Sequence, residues 1–245
     1  MPDMEGFVIR GVPVIGERDD LASILRFLFD FKDGDVLCIA STIVAKAEGR
    51  FGYLKDYRPT KRAEEIAASI NKDPRFVQAV LDESEEVLLE KPFLLVVTRF
   101  GHIGVNAGID QSNVGPEMIL LLPKDPQASA EAIRTALGKD GKDVAVIITD
   151  TCGRPFRCGV AAVAVGWAGI GTLRDWRGEA DIHGKKLEIT LEAVADEIAS
   201  AANLLMGEAG DGTPAVVFRG LKYPRSGDHL FMPKELDVIR RHLKG

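Results

Sequence analysis

The sequence predicts an α+β fold with mixed α/β character, built as one large domain over residues 1–245 with two intimate lobes as an option. Three observations lead there. Strand-like and helix-like segments alternate along the whole chain, with no internal repeat and no low-complexity linker. The length exceeds the roughly 100–200 residues of an ordinary domain, so a sizeable core can be buried. Hydrophobic residues make up 46% and charged residues 28%, a globular balance that excludes a disordered chain.

Residues 7–15 read as a strand interrupted by Gly11 and Pro13. Residues 19–29 place Leu21, Ile24, Leu25 and Leu28 on one helical face. The Asp33-Gly34-Asp35 turn feeds a short apolar strand at 36–40, which ends at Ser41 and Thr42. Pro59 and Thr60 open a helix reaching about Ile70. Asp73 and Pro74 form an N-cap and first helical position, and the apolar pattern predicts one helix from there through Val87 and Leu88 to Lys91-Pro92. Residues 93–100 and 103–105 read as a hairpin about Gly101-His102. A buried strand at 118–122, a short helix at 129–137 and a continuous apolar strand at 144–149 follow, the last ending on Asp150. Residues 161–170 are strand-like. Leu191, Val194, Ile198, Ala202 and Leu205 predict a long helix ending near Met206-Gly207. A strand at 214–219 and an amphipathic helix at 233–243 complete the chain.

Charge and cysteine usage narrow the function classes. A net charge of −6 and a pI near 5.4 give no support to general nucleic-acid binding, which needs a basic face. Cys38, Cys152 and Cys158 form no CxxC pair and no disulfide framework, which points to a reducing, cytoplasmic setting. The N-terminus lacks the basic start and long apolar run of a signal peptide, and no stretch of about 18 apolar residues predicts a membrane span.

Four segments are candidates for chemistry. In VNAGIDQSN (105–113), Asn106, Asp110 and Asn113 supply oxygens suited to a hard divalent cation or a nucleotide edge; Asx side chains turning on their own backbone explain the same residues. In TDTCGRPFR (149–157), Asp150 follows a buried strand, as site residues of α/β proteins do. Arg154 and Arg157 suit bidentate grips on phosphate or carboxylate, or else pair with Asp150. Cys152 and Cys158 have no nearby histidine and read as small packing side chains rather than nucleophiles. In MGEAGDGT (206–213), three glycines allow close approach to phosphate, while Glu208 and Asp211 would repel it unless a cation intervenes; a helix C-cap accounts for Gly207 alone. In ASTIVAK (40–46), Ser41, Thr42 and Lys46 can contact phosphate, or can form a helix start with a solvated lysine. The chain has no P-loop, no strand-flanked GxGxxG and no HExxH.

Taken together, GVPVI (11–15), ASTIVAKAEGR (40–50), FVQAVLDESEEVLL (76–89), VNAGIDQSNV (105–114), VIITDTCGRPFRCGV (146–160) and ADEIASAANLLMGEAGDGTPAVV (195–217) resemble the γ-glutamyl ligase family of coenzyme F420 biosynthesis. The resemblance spans roughly residues 8–220, and the chain is too short to carry the nitroreductase-like domain fused to some relatives. It implies GTP-dependent addition of L-glutamate to coenzyme F420-0, then of a γ-linked glutamate, by an intertwined two-lobe homodimer using Mn²⁺ or Mg²⁺, two per site, and K⁺. It places Asp110, Asp150, Thr151 and Glu208 at metal positions. Val12, Pro13, Val14, Ile15, Ser41, Thr42, Lys46, Asn113 and Met206, Gly207, Glu208, Ala209, Gly210, Asp211, Gly212 and Thr213 fall at nucleotide positions. Cys152 stands where a small polar residue is expected. Asp150, with Arg154 and Arg157 as anion grips, is the predicted catalytic set; the competing readings are a metal-dependent phosphohydrolase and a non-catalytic nucleotide-binding module.

Overall fold

The computed structural model describes residues 4–112, 114–225 and 229–243. In chain order the strands are β1 (Glu5–Val8), β2 (Val36–Ala40), β3 (Phe51–Tyr53), β4 (Ser84–Leu89), β5 (Leu95–Thr98), β6 (Ile103–Val105), β7 (Met118–Leu120), β8 (Ala145–Gly153), β9 (Val160–Ala168), β10 (Arg174–Asp175), β11 (Leu191–Glu192) and β12 (Ala215–Arg219). The helices are α1 (Leu21–Leu28), α2 (Ser41–Ala47), α3 (Lys61–Ile70), α4 (Pro74–Asp82), α5 (Pro126–Leu137), α6 (Val194–Met206) and α7 (Val238–Leu243). This is the mixed helix-and-sheet class that the sequence predicts.

The central sheet runs β1-β12-β2-β8-β9. Only the β2–β8 pair is parallel; its neighbours are antiparallel. Strict alternation along β2 and β8 feeds two cores. Leu37, Ile39, Val146 and Ile148 face α1 and α5, whereas Val36, Cys38, Ala145 and Ile147 face α6. A third core gathers Ala63, Ile66, Phe76, Val77 and Val80 of α3 and α4 against Val96 of β5 and Ile119 of β7. Asp35, wholly buried at the base of β2, accepts from Arg219 Nε and Nη2 at 2.8 and 2.7 Å and from the Lys32 N–H at 2.8 Å. That pairing ties the β2 entry to the end of β12.

Several expected boundaries move, each for a tertiary reason. The first strand stops at Val8: Ile9 makes the last ladder-like bond, to Ala215, and Gly11, at φ +78, turns the chain out of the extended conformation. The helix begun at Pro74 ends at Asp82, where Ser84 Oγ bonds the Val80 carbonyl, and residues 84–89 pair with β5 instead. Val87 and Leu88 satisfy either period, and the partner strand decides. Helix α5 starts earlier than expected, because Asp125 caps the Ala128 N–H at 2.9 Å and Pro126 occupies the first turn. Leu191 pairs with Asp175 rather than opening α6. The last helix begins only at Val238, after a turn in which Asp237 accepts from the Arg240 N–H at 2.8 Å.

The largest difference concerns β8, which does not end before Asp150. It continues to Gly153, pairing Asp150 with Val163 and Gly153 with Val160. Its pairing with β2 does stop at Ala40 and Thr149. Beyond that point β8 and β9 run on as a two-stranded hairpin with exposed Phe156 at its tip. No helix among the described residues is long and apolar enough to cross a membrane.

Candidate active site

The parallel register of β2 and β8 creates the centre of the site. Ala40 lies beside Thr149, so the next residues, Ser41 and Asp150, emerge together where β2 ends and its pairing with β8 stops. Ser41 Oγ donates to Asp150 Oδ1 at 3.0 Å, a contact between residues 109 apart in sequence. Ser41 also opens α2, so its backbone is fixed by helix on one side and sheet on the other.

A cleft of about 770 Å³ opens over this pair. Its walls come from four of the predicted segments. Val12, Pro13, Val14 and Ile15 form one edge, Ile15 buried and Val14 almost wholly exposed. Ser41, Thr42 and Lys46 of α2 form the second, Asp110 and Ser112 the third. Met206, Gly207, Glu208, Ala209, Gly210, Gly212 and Thr213 form the fourth, with Asp150 and Thr151 on the floor. Asn113 lies outside the described residues. Asp211 does not line the cleft; its carboxylate lies back over Gly207, where a Cβ would stand 2.3 Å from Oδ2. Gly207 also has φ +76 and ψ 174, a conformation essentially restricted to glycine, so it ends α6 and turns the loop into the cleft at once. Arg154 and Arg157 sit exposed near the tip of the β8–β9 hairpin, away from the cleft of their own chain.

The acids are held in different ways. Burial pushes the Asp150 carboxyl up to about 6; the Ser41 hydroxyl and the Thr151 N–H oppose this, and the charges of Asp110 and Glu208 reinforce it. Asp110 accepts from the Ser112 N–H at 2.7 Å and from Ser112 Oγ at 2.6 Å, an Asx turn on a residue that also faces the cleft. Glu208 accepts from Asn203 Nδ2 at 2.7 Å. Among the described residues, no three His, Cys, Asp or Glu side chains are grouped to hold one ion, so the three acids face one cleft without meeting at a point. Their donor chemistry, carboxylate with neighbouring hydroxyl oxygen, fits a hard divalent cation, and such an ion would relieve the mutual repulsion felt at Asp150.

Sequence reasoning missed Gly108, Leu122 and Asn203, all of which line the cleft. Residues 106, 107 and 108 have φ of 54, 55 and 68°, three successive left-handed positions of which only the last is glycine. At Gly108 a Cβ would stand 2.5 Å from Leu122 Cδ1 and 3.3 Å from Asp150 Oδ2. The loop therefore lies hard against the floor carboxylate. Asn-Ala-Gly after a strand was the available signal, since Asn and Gly favour this backbone region. Asn203 carried none beyond its place one turn before the end of α6. Cys152 is half-buried on β8, and burial pushes its thiol up, which suits an unreactive packing residue.

A family model described as F420-0:Gamma-glutamyl ligase matches residues 11–220. The chain belongs to this ligase family. A Natronomonas pharaonis protein named coenzyme F420:L-glutamate ligase is 54% identical over 252 residues, covering 98% of this chain and 96% of that protein. A protein of the same name from Archaeoglobus fulgidus is 54% identical over 244 residues, covering 98% of both. One from Methanosarcina mazei is 48% identical over 245 residues, covering 98% and 96%. The family match spans every segment that walls the cleft.

Proposed function

We propose that the protein adds L-glutamate to coenzyme F420-0, and then a γ-linked glutamate to the first product, using GTP to activate the acceptor carboxylate. Family membership and the names of its relatives support the substrates. The observation that carries the chemistry is the Ser41–Asp150 pair at the floor of a cleft edged by a glycine-rich loop and by two further acids.

A carboxylate resists an amine because oxide is a poor leaving group. Transfer of the γ-phosphoryl group to that carboxylate makes an acyl phosphate, whose phosphate departs when the glutamate amine attacks. Most of the protein's task is then positioning and neutralising charge. The backbone N–H groups of residues 207–213, with Thr42 and Lys46, cradle the triphosphate, and Val12, Pro13, Val14 and Ile15 edge the nucleotide. Ser41 fixes the Asp150 carboxylate toward the reacting phosphoryl group. Asp110, Asp150, Thr151 and Glu208 would hold Mn²⁺ or Mg²⁺, probed with K⁺ as an added monovalent ion; a bound divalent ion supplies charge neutralisation and Lewis acidity toward phosphate.

The protein acts as a homodimer in this reading. Phe156, Ile182 and Ile189 are almost wholly exposed around the β8–β9 and β10–β11 hairpins, an apolar display that a second copy would cover. Arg154 and Arg157 reach substrate only where it extends beyond the cleft, or where a second copy lends its hairpin. The intertwined, two-lobe arrangement and a cytoplasmic setting belong to the same reading.

Incubating the pure protein with F420-0, L-glutamate, GTP and Mn²⁺ and weighing the product by mass spectrometry tests the proposal. Successive additions of one glutamate residue are expected, together with one GDP per bond. Phosphate released without acceptor or glutamate would instead mark a phosphohydrolase. GTP binding without turnover under any metal would mark a binding module.

A further inference from the structure

Glu208 stands just past the end of α6, where its surroundings disfavour it. The carbonyl end of a helix carries partial negative charge and repels a carboxylate beside it. The cleft adds to this, because Asp110 and Asp150 line it too, against Lys46 as the one cation among its described lining residues. Repulsion alone would turn Glu208 out to solvent, yet the backbone brings it back. Gly207, at φ +76 and ψ 174, reverses the chain after Met206, and its N–H bonds the Asn203 carbonyl at 2.9 Å. Glu208 then falls beside the last turn of α6, where Asn203 Nδ2 donates to Glu208 Oε1 at 2.7 Å. Among the described residues Asn203 is the one side chain that hydrogen-bonds Glu208, and both line the cleft. We propose that Asn203 is a positioning residue for the divalent-ion site: its amide holds one oxygen of Glu208 so that the other is presented to the ion.

The type of donor matters. A carboxylate accepts only, so the NH₂ end of the amide must face Glu208, which fixes the Asn203 rotamer. A neutral donor orients the carboxylate without cancelling the charge that attracts a cation. Lysine or arginine at this position would neutralise Glu208 and repel the ion at once. The platform is rigid where it needs to be: Ala199, Ala202 and Met206 of the same helix are buried in the core on that face of the sheet, whereas Glu208 lies on a loop. The contact itself is exposed to solvent, so it adds little to folding, and its effect is on the direction in which the carboxylate points. Hydrogen-bond partners of metal-binding carboxylates act in this way, and their removal costs roughly 10- to 100-fold in metal affinity.

The inference rests on the ion site proposed above and is tested by ion binding as well as turnover. Mn²⁺ is titrated into wild type and variants, each carrying one equivalent of a non-hydrolysable GTP analogue, and the free ion is read by electron paramagnetic resonance. Asn203→Ala should bind Mn²⁺ roughly 10- to 100-fold more weakly. Its fold should survive, since alanine is the better helix former and the Gly207 N–H bonds the backbone of residue 203. Asn203→Gln keeps the amide and should recover part of the affinity. Asn203→Lys keeps a donor for Glu208 and adds a charge that suits the helix end, so its metal-free Tm should equal or exceed that of the wild type while its Mn²⁺ affinity falls below that of the alanine variant. A merely structural bond would leave the lysine variant binding Mn²⁺ as the wild type does. In turnover, Asn203→Ala should raise the Mn²⁺ concentration for half-maximal rate by the same factor, with kcat recovered at saturating Mn²⁺. Equal affinity in wild type and Asn203→Ala, or a lysine variant as tight as wild type, overturns the inference. A wild type that takes up no Mn²⁺ beyond the analogue in solution overturns it together with the ion site. Weaker Mn²⁺ binding in Asn203→Ala, by a protein that forms no glutamylated product, supports the inference and overturns only the ligase reading.

Discussion

Replacing Asp150 by Asn should stabilise the metal-free protein while abolishing its activity. The carboxyl sits on the cleft floor beside two other acids, and its titration is pushed from an ordinary 3.8 up to about 6. At 1.36 kcal/mol for each tenfold change in proton affinity, ionising it in the fold costs about 3 kcal/mol. The sign follows from the direction of the displacement. A carboxyl raised in the folded state weakens the fold as pH rises from about 4 to 6, and the whole penalty is present above that. Asn keeps an oxygen for the Ser41 hydroxyl, so little is lost in exchange. Part of this gain disappears as the floor relaxes, leaving about 1–2 kcal/mol at pH 8, or about 2–8 °C in Tm for a chain of this size. Calorimetry with a chelator present, at pH 4 and pH 8, is the assay. Asp150→Asn should melt higher than wild type at pH 8 and equally at pH 4. Added Mn²⁺ should raise the wild-type Tm and leave the variant unmoved. A variant that melts lower at pH 8, or differs equally at both pH values, refutes the electrostatic account of the floor.

Three further outcomes follow from other parts of the molecule. Gly108→Ala combines a left-handed backbone with a Cβ 2.5 Å from Leu122; a loss of about 2–4 kcal/mol in urea unfolding is expected, with activity reduced at least tenfold, and wild-type stability would contradict it. Asp35→Ala strips the buried partner of Arg219 and should cost about 3 kcal/mol without altering KM in any folded fraction; a neutral result would show the pair to be dispensable. Phe156→Ser should weaken self-association about 10-fold or more in sedimentation equilibrium, if the exposed ring is covered by a second copy; a wild-type protein that sediments as a monomer removes the basis for that expectation.

Much of the fold was legible because its local signals and its packing agree. Thr60 and Asp73 cap the helices that their positions predicted, and the continuous apolar runs at 36–40 and 144–149 became paired central strands that fill a core on each face of the sheet. Residues 84–89 were misread because Val87 and Leu88 fit a helical face as well as a strand, and only pairing with β5 separates the two. The continuation of β8 past Asp150 was hidden for a similar reason: Thr-Cys-Gly has no apolar alternation, and its strand geometry comes from β9. The site was legible as four segments, not as one object. Their convergence depends on the parallel register that sets Ser41 beside Asp150 across 109 residues, which no local pattern encodes. The close packing of Gly108 on Leu122 depends on tertiary contact, so the Asn-Ala-Gly signal marks the turn but not what it packs against.

Activation of a carboxylate by phosphoryl transfer is the step on which the functional account stands, and oxygen-18 follows it directly. F420-0 labelled in both oxygens of its acceptor carboxylate is converted with unlabelled GTP and L-glutamate, and the phosphate released is weighed by mass spectrometry. An acyl phosphate carries one acceptor oxygen away when the amine displaces it, so the phosphate released with the first glutamate should contain one oxygen-18. Only unlabelled phosphate accompanying the singly glutamylated product would contradict the account.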